Sequence, residues 1–316
     1  MSRVTEQRRT TPPDFRVLGA ELRTWGRWGI DDRLGTLNLL DDAARAAAAA
    51  LVRNGRVVAL GLPFDERGPQ GPHSDRDNVR HIMTRTGDQQ PTASGYVWND
   101  DRVELDLQSG SQLDGLAHVG YDGLIYGGRR LSAVTAEGAR ELGIEAMIGG
   151  IQGRGVLLDI PRHRGVDRLE ADAVVDTDEL IACAAAQRVE VRVGDCLLIR
   201  TGWIRTLIDD HDPAGYLARE PGLALETARW LHDRGVALVG SDNFGIEVAP
   251  AEDPAVDFPL HCVLLRDMGM PLAEILVLEE LARVCEDESR WEFLFTCSPL
   301  PVVGAVGSPV APLATF

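Results

Sequence analysis

One short segment of the chain combines a carboxylate, an imidazole and two amide side chains. Asp114 and His118 are four residues apart, and Gln108 and Gln112 have the same spacing. Residues four apart share a face of a helical turn, so each pair would project to one side. Carboxylate and amide oxygens together with an imidazole can bind a divalent ion. The segment therefore predicts either a metal site or an Asp114–His118 hydrogen bond where a strand joins a helix.

A second set of candidate ligands lies nearer the C-terminus. His261 stands before the apolar run 262–265, and Glu274 is the single polar residue of the run 271–278. A carboxylate embedded in apolar sequence needs a partner, because burying an unpaired charge is costly. A metal ion would serve, and so would an arginine such as Arg266. The residues alone leave both partners open.

Two further carboxylates, Asp242 and Glu247, follow a strand predicted at 236–240. Open α/β sheets bind their ligands at the carboxyl ends of the strands, which is where this loop would lie. The two side chains either orient metal-binding imidazoles or cap the loop. The sequence favours neither interpretation.

The elements that must position these groups alternate along the chain. Apolar runs rich in β-forming residues predict strands at 155–159, 196–200 and 236–240. The alternation of apolar and polar residues predicts a half-buried strand at 103–107, and a further strand is predicted at 56–60. Start and stop signals predict helices at about 41–51, 135–142, 177–186 and 223–233. The unbroken alternation indicates a single α/β domain over 21–316, preceded by an N-terminal arm at 1–20. Residues 63–95 show little periodicity and predict a long functional loop or lid.

The charge balance argues against two classes of partner. The 316 residues include 32 Lys and Arg against 49 Asp and Glu, a formal net charge of −17. That sign disfavours nucleic-acid binding, which depends on neutralising phosphates, and adhesion to anionic lipid. No apolar run reaches the length of a membrane span, and no signal-peptide core follows the N-terminus. We expect no nucleic-acid partner and no membrane.

The cysteines favour a reducing compartment and hence a cytoplasmic location. They are odd in number, well separated and without a CxxC pair: Cys183, Cys196, Cys262, Cys285 and Cys297. A cysteine hydrolase that uses Cys262 or Cys297 is one alternative. Cys262 neighbours His261, but adjacent residues on a strand point to opposite faces, which argues against that pair.

Together the two sets of ligands resemble the metal-dependent cyclase family, of the kynurenine formamidase and isatin hydrolase type. That family carries the motif His-x-Gly-Thr-His-x-Asp-x-Pro-x-His, where this chain has Gln-Ser-Gly-Ser-Gln-Leu-Asp-Gly-Leu-Ala-His at 108–118. His261 and Glu274 match the family's later ligands, and segments 28–38 and 304–309 extend the resemblance. The resemblance implies a swivelling β/β/α fold of the cyclase type.

The resemblance also implies which residues bind metal. In the family, the first two motif histidines and the Asp bind one ion, and that Asp can share a second ion with the later His and Glu. Here Gln108 and Gln112 replace the two histidines, and an amide oxygen is a weaker ligand than imidazole. We therefore expect one divalent ion, Mn²⁺ or Zn²⁺, held by Asp114, His261 and Glu274, with both glutamines as weak ligands.

His118 aligns with the last histidine of the motif, which the resemblance makes a proton shuttle. An imidazole, whose ordinary pKa is about 6.5, can take a proton from a metal-activated water and return it to the leaving atom. Because the other motif histidines are replaced, His118 could instead be a ligand.

The predicted reaction is hydrolysis of a C–N or ester bond in a small amide, cyclic imide or lactone. Four aromatic residues are expected to line the substrate pocket: Trp28, Tyr121, Tyr126 and Phe244. One alternative uses the same metal for ring closure or dehydration. Another is a non-catalytic binding protein that lost its metal with the two glutamine replacements. The resemblance also implies a homodimer or homotetramer in which the arm at 1–20 contacts a neighbouring subunit.

Overall fold

The computed structural model describes residues 12–71, 74–88 and 92–316. The first eleven residues of the predicted arm therefore lie outside the described ranges, as do 72–73 and 89–91 of the predicted lid. The described part of the arm contains the helix Phe15–Glu21, whose Phe15 and Leu18 are buried against the rest of the chain. Contact of the arm with a neighbouring subunit stays a prediction.

A nine-stranded mixed sheet forms the centre of the described chain. Four central strands run parallel to one another, and antiparallel strands flank them on both sides. In spatial order the strands are Val57–Ala59, Leu313–Thr315, Glu292–Cys297, Ile151–Asp159, Cys196–Arg200, Leu238–Ser241, Leu272–Glu274, Gln112–Asp114 and Gly307–Pro309. This mixed sheet with its helices confirms the expected α/β class in a single domain.

Helices join the strands and cover the sheet. The α-helices are Phe15–Glu21, Asp42–Ala49, Ile160–Arg164, Thr177–Gln187, Arg205–Ile208, Pro213–Ala218, Thr227–Arg234, Pro259–His261 and Glu279–Glu288. Short 3₁₀ turns lie at Gly35–Leu39, Tyr126–Gly128, Leu131–Ala133 and Ile144–Met147, and a π-helix lies at Cys262–Met268. None of the described helices combines the length and the apolar character that a membrane span requires.

The strand predicted at 196–200 is confirmed with both of its bounds, and the helix predicted at 135–142 is wrong. The strand at 196–200 is buried along its whole length, as its apolar run indicates. At 135–142, however, Val134–Thr135 and Gly138–Ala139 form a small antiparallel hairpin. Gly138 has φ of 110°, a conformation that glycine tolerates and that a helix cannot contain.

The predicted lid contains regular structure and is not one continuous loop. Arg80–Arg85 pairs antiparallel with Asp100–Glu104 as a two-stranded ribbon separate from the main sheet. The strand predicted at 103–107 therefore begins and ends earlier than expected. Before the ribbon, three residues form hydrogen bonds with residues 106–109: Gln70, Arg76 and Asp77, whose amide N–H donates to Asp106 at 2.6 Å.

A tight approach of two glycines packs the segment 28–38 against the sheet. Gly35 has φ of 58°, and a Cβ there would collide with the carbonyl oxygen of Gly269. Thr36 donates its backbone N–H to that same carbonyl at 2.8 Å and its hydroxyl to the carbonyl of Ala237 at 2.7 Å. The segment thus closes against the end of the π-helix.

Candidate metal centre

Two neighbouring strands and one helix bring three of the predicted ligands together. Asp114 ends one strand, and Glu274 ends its antiparallel neighbour. His261 ends a short helix that continues into the π-helix Cys262–Met268. Such π-helical turns are rare and often occur at functional sites. One potential ligand atom from each of Asp114, His261 and Glu274 lies within 4.8 Å of the other two.

Asp114 offers two buried oxygens that accept no hydrogen bond. Its side chain is fully buried, and neither Oδ1 nor Oδ2 has a donor. Burial raises the pKa of Asp114 to about 6, although the charge of the nearby His118 lowers it. A buried carboxylate without donors is costly, whereas a divalent cation would satisfy both oxygens. The donor set therefore fits a metal ion.

Gln112 contacts the same centre through its side-chain amide. Its Nε2 donates to Oε2 of Glu274 at 2.5 Å, while its Oε1 is buried without a partner. Gln112 thus orients Glu274 and keeps an amide oxygen available as a weak ligand. Arg266, the alternative partner of Glu274, instead pairs with Asp267 at 2.6 Å.

Both ring nitrogens of His261 contact carboxylates. Nδ1 lies 2.7 Å from Oε1 of Glu247, and Nε2 lies 2.9 Å from Oε1 of Glu274. Burial by itself lowers the pKa of His261, but the hydrogen bonds to Glu247 and Glu274 outweigh it and raise that pKa well above its usual value. Histidines that bind a metal through one ring nitrogen are commonly oriented by a carboxylate that contacts the other ring nitrogen.

His118 lies beside Asp114 but is more open to solvent. Its Nε2 is 3.5 Å from Oδ2 of Asp114, and 20% of its side chain is exposed. The helical turn expected for this pair is wrong, because Asp114 belongs to a strand. A tight turn, in which the N–H of His118 donates to the carbonyl of Gly115 at 3.0 Å, returns the imidazole to the cluster.

Gln108 has no described polar contact with the three clustered residues. Its Nε2 is buried without a partner, and its side chain lies against Gly307, where a Cβ would collide with it. Its backbone carbonyl accepts a hydrogen bond from Arg76 at 3.0 Å. A role for Gln108 as a weak metal ligand stays a prediction.

The two loop carboxylates have different partners. Glu247 contacts the imidazole of His261, as a carboxylate that orients a ligand would. Asp242 instead caps a loop, because it accepts the backbone N–H groups of Thr201 and Gly202, each at 2.7 Å. Glu247 therefore follows the interpretation of a carboxylate that orients an imidazole, and Asp242 follows the interpretation of a loop cap.

Glu220 is a buried carboxyl group that the sequence analysis missed. Its Oε2 accepts the backbone N–H of Phe244 at 2.5 Å and that of Gly245 at 3.2 Å, while Oε1 has no partner. Burial raises the pKa of Glu220 well above its usual value. Glu220 stands in the sequence Arg-Glu-Pro-Gly, where no apolar run marks it as buried.

The aromatic residues predicted to line the substrate pocket are Trp28, Tyr121, Tyr126 and Phe244. The hydroxyls of Tyr121 and Tyr126 donate to carboxylates outside the cluster, Asp267 at 2.6 Å and Asp32 at 2.8 Å. Trp28 lies beneath the guanidinium group of Arg27. Phe244 lies on the loop that Glu220 holds. Their assignment to a substrate pocket stays a prediction.

The thiols that could serve a cysteine hydrolase are buried. All five cysteines are free and buried. Burial raises the pKa of Cys262 and that of Cys297 each to about 12, which suppresses the reactive thiolate. Cys262 belongs to the π-helix rather than to the strand expected for it.

Comparison with known proteins finds one family and several similar structures. The model of the Cyclase family matches residues 58–248, which is more than half of the chain. A crystal structure described as that of a novel cyclase is 34% identical with a TM-score of 0.87, and the match covers 93% of this chain and 99% of that one. Among curated proteins, none matches the chain.

More distant structures share the fold. Isatin hydrolase A from Ralstonia solanacearum is 20% identical with a TM-score of 0.61, over 86% of this chain and 95% of that one. A protein from Bacillus stearothermophilus described as a predicted metal-dependent hydrolase is 18% identical with a TM-score of 0.52, over 83% and 98% of the two chains. These similarities confirm the expected cyclase-like α/β fold.

Proposed function

The chain belongs to the Cyclase family, and from that premise we propose that it is a metal-dependent hydrolase. The proposed reaction opens a C–N or ester bond in a small amide, cyclic imide or lactone. One observation carries the proposal: the two oxygens of the buried Asp114 accept no hydrogen bond, and Asp114 lies beside His261 and Glu274. The similar structures described as an isatin hydrolase and as a predicted metal-dependent hydrolase support the same class.

The residues that would hold the ion are Asp114, His261 and Glu274, with Gln112 and Gln108 as weak additional ligands. One imidazole and two carboxylates form a donor set suited to Mn²⁺ or Zn²⁺. When bound, such an ion lowers the pKa of water toward neutrality and polarises a substrate carbonyl. Glu247 would keep Nε2 of His261 directed at the ion by holding Nδ1.

His118 would move the proton that hydrolysis requires. It lies next to Asp114 and is partly exposed, so its imidazole can reach a water that attacks a carbonyl. As the new C–O bond forms, His118 takes a proton from the water. As the C–N or C–O bond of the substrate breaks, His118 returns that proton to the leaving nitrogen or oxygen. The products are a carboxylic acid together with an amine from an amide, a carboxamide from an imide or an alcohol from a lactone, and the two groups stay in one molecule when the substrate is cyclic.

The proposal includes a cytoplasmic enzyme that forms a homodimer or homotetramer and has a small-molecule substrate. The two-stranded ribbon of Arg80–Arg85 and Asp100–Glu104 supports assembly, since nearly every residue of both strands is exposed. Isolated two-stranded ribbons are only marginally stable in water, so contact with a second subunit would stabilise this one.

Metal content tests the proposal. Protein purified without chelator or His-tag is analysed for bound elements, together with His261→Ala and the control His232→Ala, whose imidazole lies on the surface helix Thr227–Arg234. We expect about one manganese or zinc ion per chain in the native protein and the control, and a loss of most of that ion in His261→Ala. Absence of metal in native protein supplied with Mn²⁺ and Zn²⁺ would favour a non-catalytic binding protein.

Product analysis then identifies the reaction. Cyclic amides, imides and lactones, and separately the corresponding open-chain acids, are incubated with the metal-loaded protein, and products are measured by mass spectrometry. Hydrolysis adds one water to the substrate, whereas ring closure or dehydration removes one. A gain of water that requires His261 supports the hydrolase, and a loss of water supports the cyclase or dehydratase alternative.

A further inference from the structure

Arg76 contacts two segments beside the candidate metal centre and has no ion-pair partner among the described residues. Its Nη1 donates to the backbone carbonyl of Gln108 at 3.0 Å, and its Cζ lies 5.6 Å from the centroid of the Phe244 ring. Gln108 begins the segment that leads to Asp114, and Phe244 lies on the loop that leads to Glu247. The guanidinium group therefore bridges two of the segments that build the centre.

The segment that carries Arg76 is fixed by its own hydrogen bonds. The backbone N–H of Arg76 donates to Oγ of Ser74 at 3.1 Å, and that hydroxyl donates to Oε1 of Gln70 at 2.6 Å. Gln70 is itself buried and donates its Nε2 to the carbonyl of Ser109 at 3.0 Å. Hydrogen bonds thus hold Arg76 and its neighbours against Gln108 and Ser109, at the start of the segment that leads to Asp114.

The charges of the centre make a free guanidinium group significant. Asp114, Glu247 and Glu274 bring three negative charges, of which a divalent ion neutralises two. The loop on which the guanidinium group packs lies beside the centre, since a Cβ placed on Gly245, the neighbour of Phe244, would lie 3.5 Å from Cε1 of His261. Without Arg76 the loaded centre would repel an anionic group, and with Arg76 it can accept one.

We propose that Arg76 binds a carboxylate group of the substrate, so that the substrate class is an amide, imide or lactone that also carries a carboxylate. Only Nη1 of the guanidinium group has a described acceptor. Nε and Nη2 remain available as a planar fork, which matches the two oxygens of a carboxylate. The Phe244 ring supplies an apolar surface for the part of the substrate next to that carboxylate. This inference rests on the proposed hydrolase function.

Binding of matched probes tests the inference without knowledge of the substrate. Benzoate and benzamide share a ring and differ in charge at the carboxyl position. Their affinities are measured by titration calorimetry for manganese-loaded native protein, Arg76→Gln and Arg76→Lys. We expect the native protein to prefer benzoate, and Arg76→Gln to bind benzoate about 10-fold or more weakly, with benzamide changed by less than about 2-fold. Arg76→Lys should recover part of the benzoate affinity, because it keeps the charge and loses the fork.

Arg85→Gln is the matched control, because Arg85 also has no described ion pair and lies 3.5 Å from the centroid of an aromatic ring, that of Trp98. It should leave both affinities unchanged. Equal affinity of native protein for the two probes, or an unchanged benzoate affinity in Arg76→Gln, would overturn the inference. Metal content is measured on the same samples. If neither the native protein nor the variants contain metal, the proposed hydrolase centre is refuted. If metal is present and Arg76→Gln does not change the benzoate affinity, only the carboxylate site is refuted.

Discussion

Glu247 holds His261 at two points. One of its carboxylate oxygens, Oε1, accepts the backbone N–H of His261 at 2.8 Å and lies 2.7 Å from Nδ1 of the same ring. The backbone contact anchors the short helix Pro259–His261 to Glu247, and the ring contact fixes the orientation of the imidazole. The opposite nitrogen, Nε2, is thereby turned toward Glu274 and Asp114.

Glu247→Gln should weaken metal binding without removing any ligand. The amide cannot hold the imidazole as a carboxylate does, so we expect the Kd for Mn²⁺ or Zn²⁺ to rise about 10- to 100-fold. Titration calorimetry measures this Kd. Glu226→Gln is the control, because Glu226 also accepts a backbone N–H, from Thr177 at 2.8 Å, but has no described contact with the cluster. An unchanged Kd in Glu247→Gln would show that the contact does not orient a metal ligand.

His118→Asn should separate the proton shuttle from the ligand interpretation. A shuttle contributes about 10²- to 10⁴-fold to the rate, so kcat on a substrate found by screening should fall by that factor while metal content stays at the native value. Steady-state kinetics and elemental analysis on the same preparation measure both. Loss of metal in His118→Asn would instead make His118 a ligand.

Metal should stabilise the folded protein by mass action. At a free ion concentration of about 100 times Kd the stabilisation is about 2.7 kcal/mol, or a rise in Tm of about 4 °C for a protein of this size. Thermal unfolding after EDTA treatment, with and without added Mn²⁺, measures the shift. His261→Ala should show no such rise. An equal rise in native protein and His261→Ala would place the ion elsewhere.

The buried thiols should resist alkylation at neutral pH. With pKa values of about 12, only about one molecule in 10⁴ carries a thiolate at Cys262 or Cys297 at pH 8. Iodoacetamide should therefore modify native protein slowly at pH 8 and leave its activity intact, whereas protein unfolded in urea should react at all five cysteines. Intact-mass measurement follows both reactions. Rapid inactivation of native protein at pH 8 would revive the cysteine hydrolase.

Gly35→Ala should destabilise the fold far more than Gly55→Ala. Both glycines have positive φ, so either alanine brings about 1–2 kcal/mol of backbone strain. At Gly55 the new methyl group would meet no atom within 4 Å, whereas at Gly35 it would collide with the carbonyl of Gly269. We expect Gly35→Ala to lower the free energy of unfolding by at least about 2 kcal/mol more. Urea denaturation compares the two, and equal losses would refute the packing role of Gly35.

Local patterns in the sequence determined the class of fold and three members of the candidate centre. The apolar run at 196–200 encodes a strand because its side chains are buried on both faces. Asp114, His261 and Glu274 were identifiable because a carboxylate or an imidazole beside apolar sequence is chemically conspicuous and matches a family motif. Residue type and spacing are visible in the sequence itself, and an apolar run indicates burial without knowledge of distant contacts.

Tertiary structure alone decided how these groups meet and which others join them. Glu274 and Gln112 are opposed because two strands pair in one antiparallel register, which no local pattern specifies. Glu220 and Arg76 stand in turn-rich, polar sequence, so the burial of Glu220 and the position of Arg76 beside the centre arise only from contacts with distant segments. The helix expected at 135–142 does not form, for the same reason. Hairpin pairing and the conformation of Gly138 outweighed the local preference, since helix propensity is worth less than the contacts a folded chain supplies.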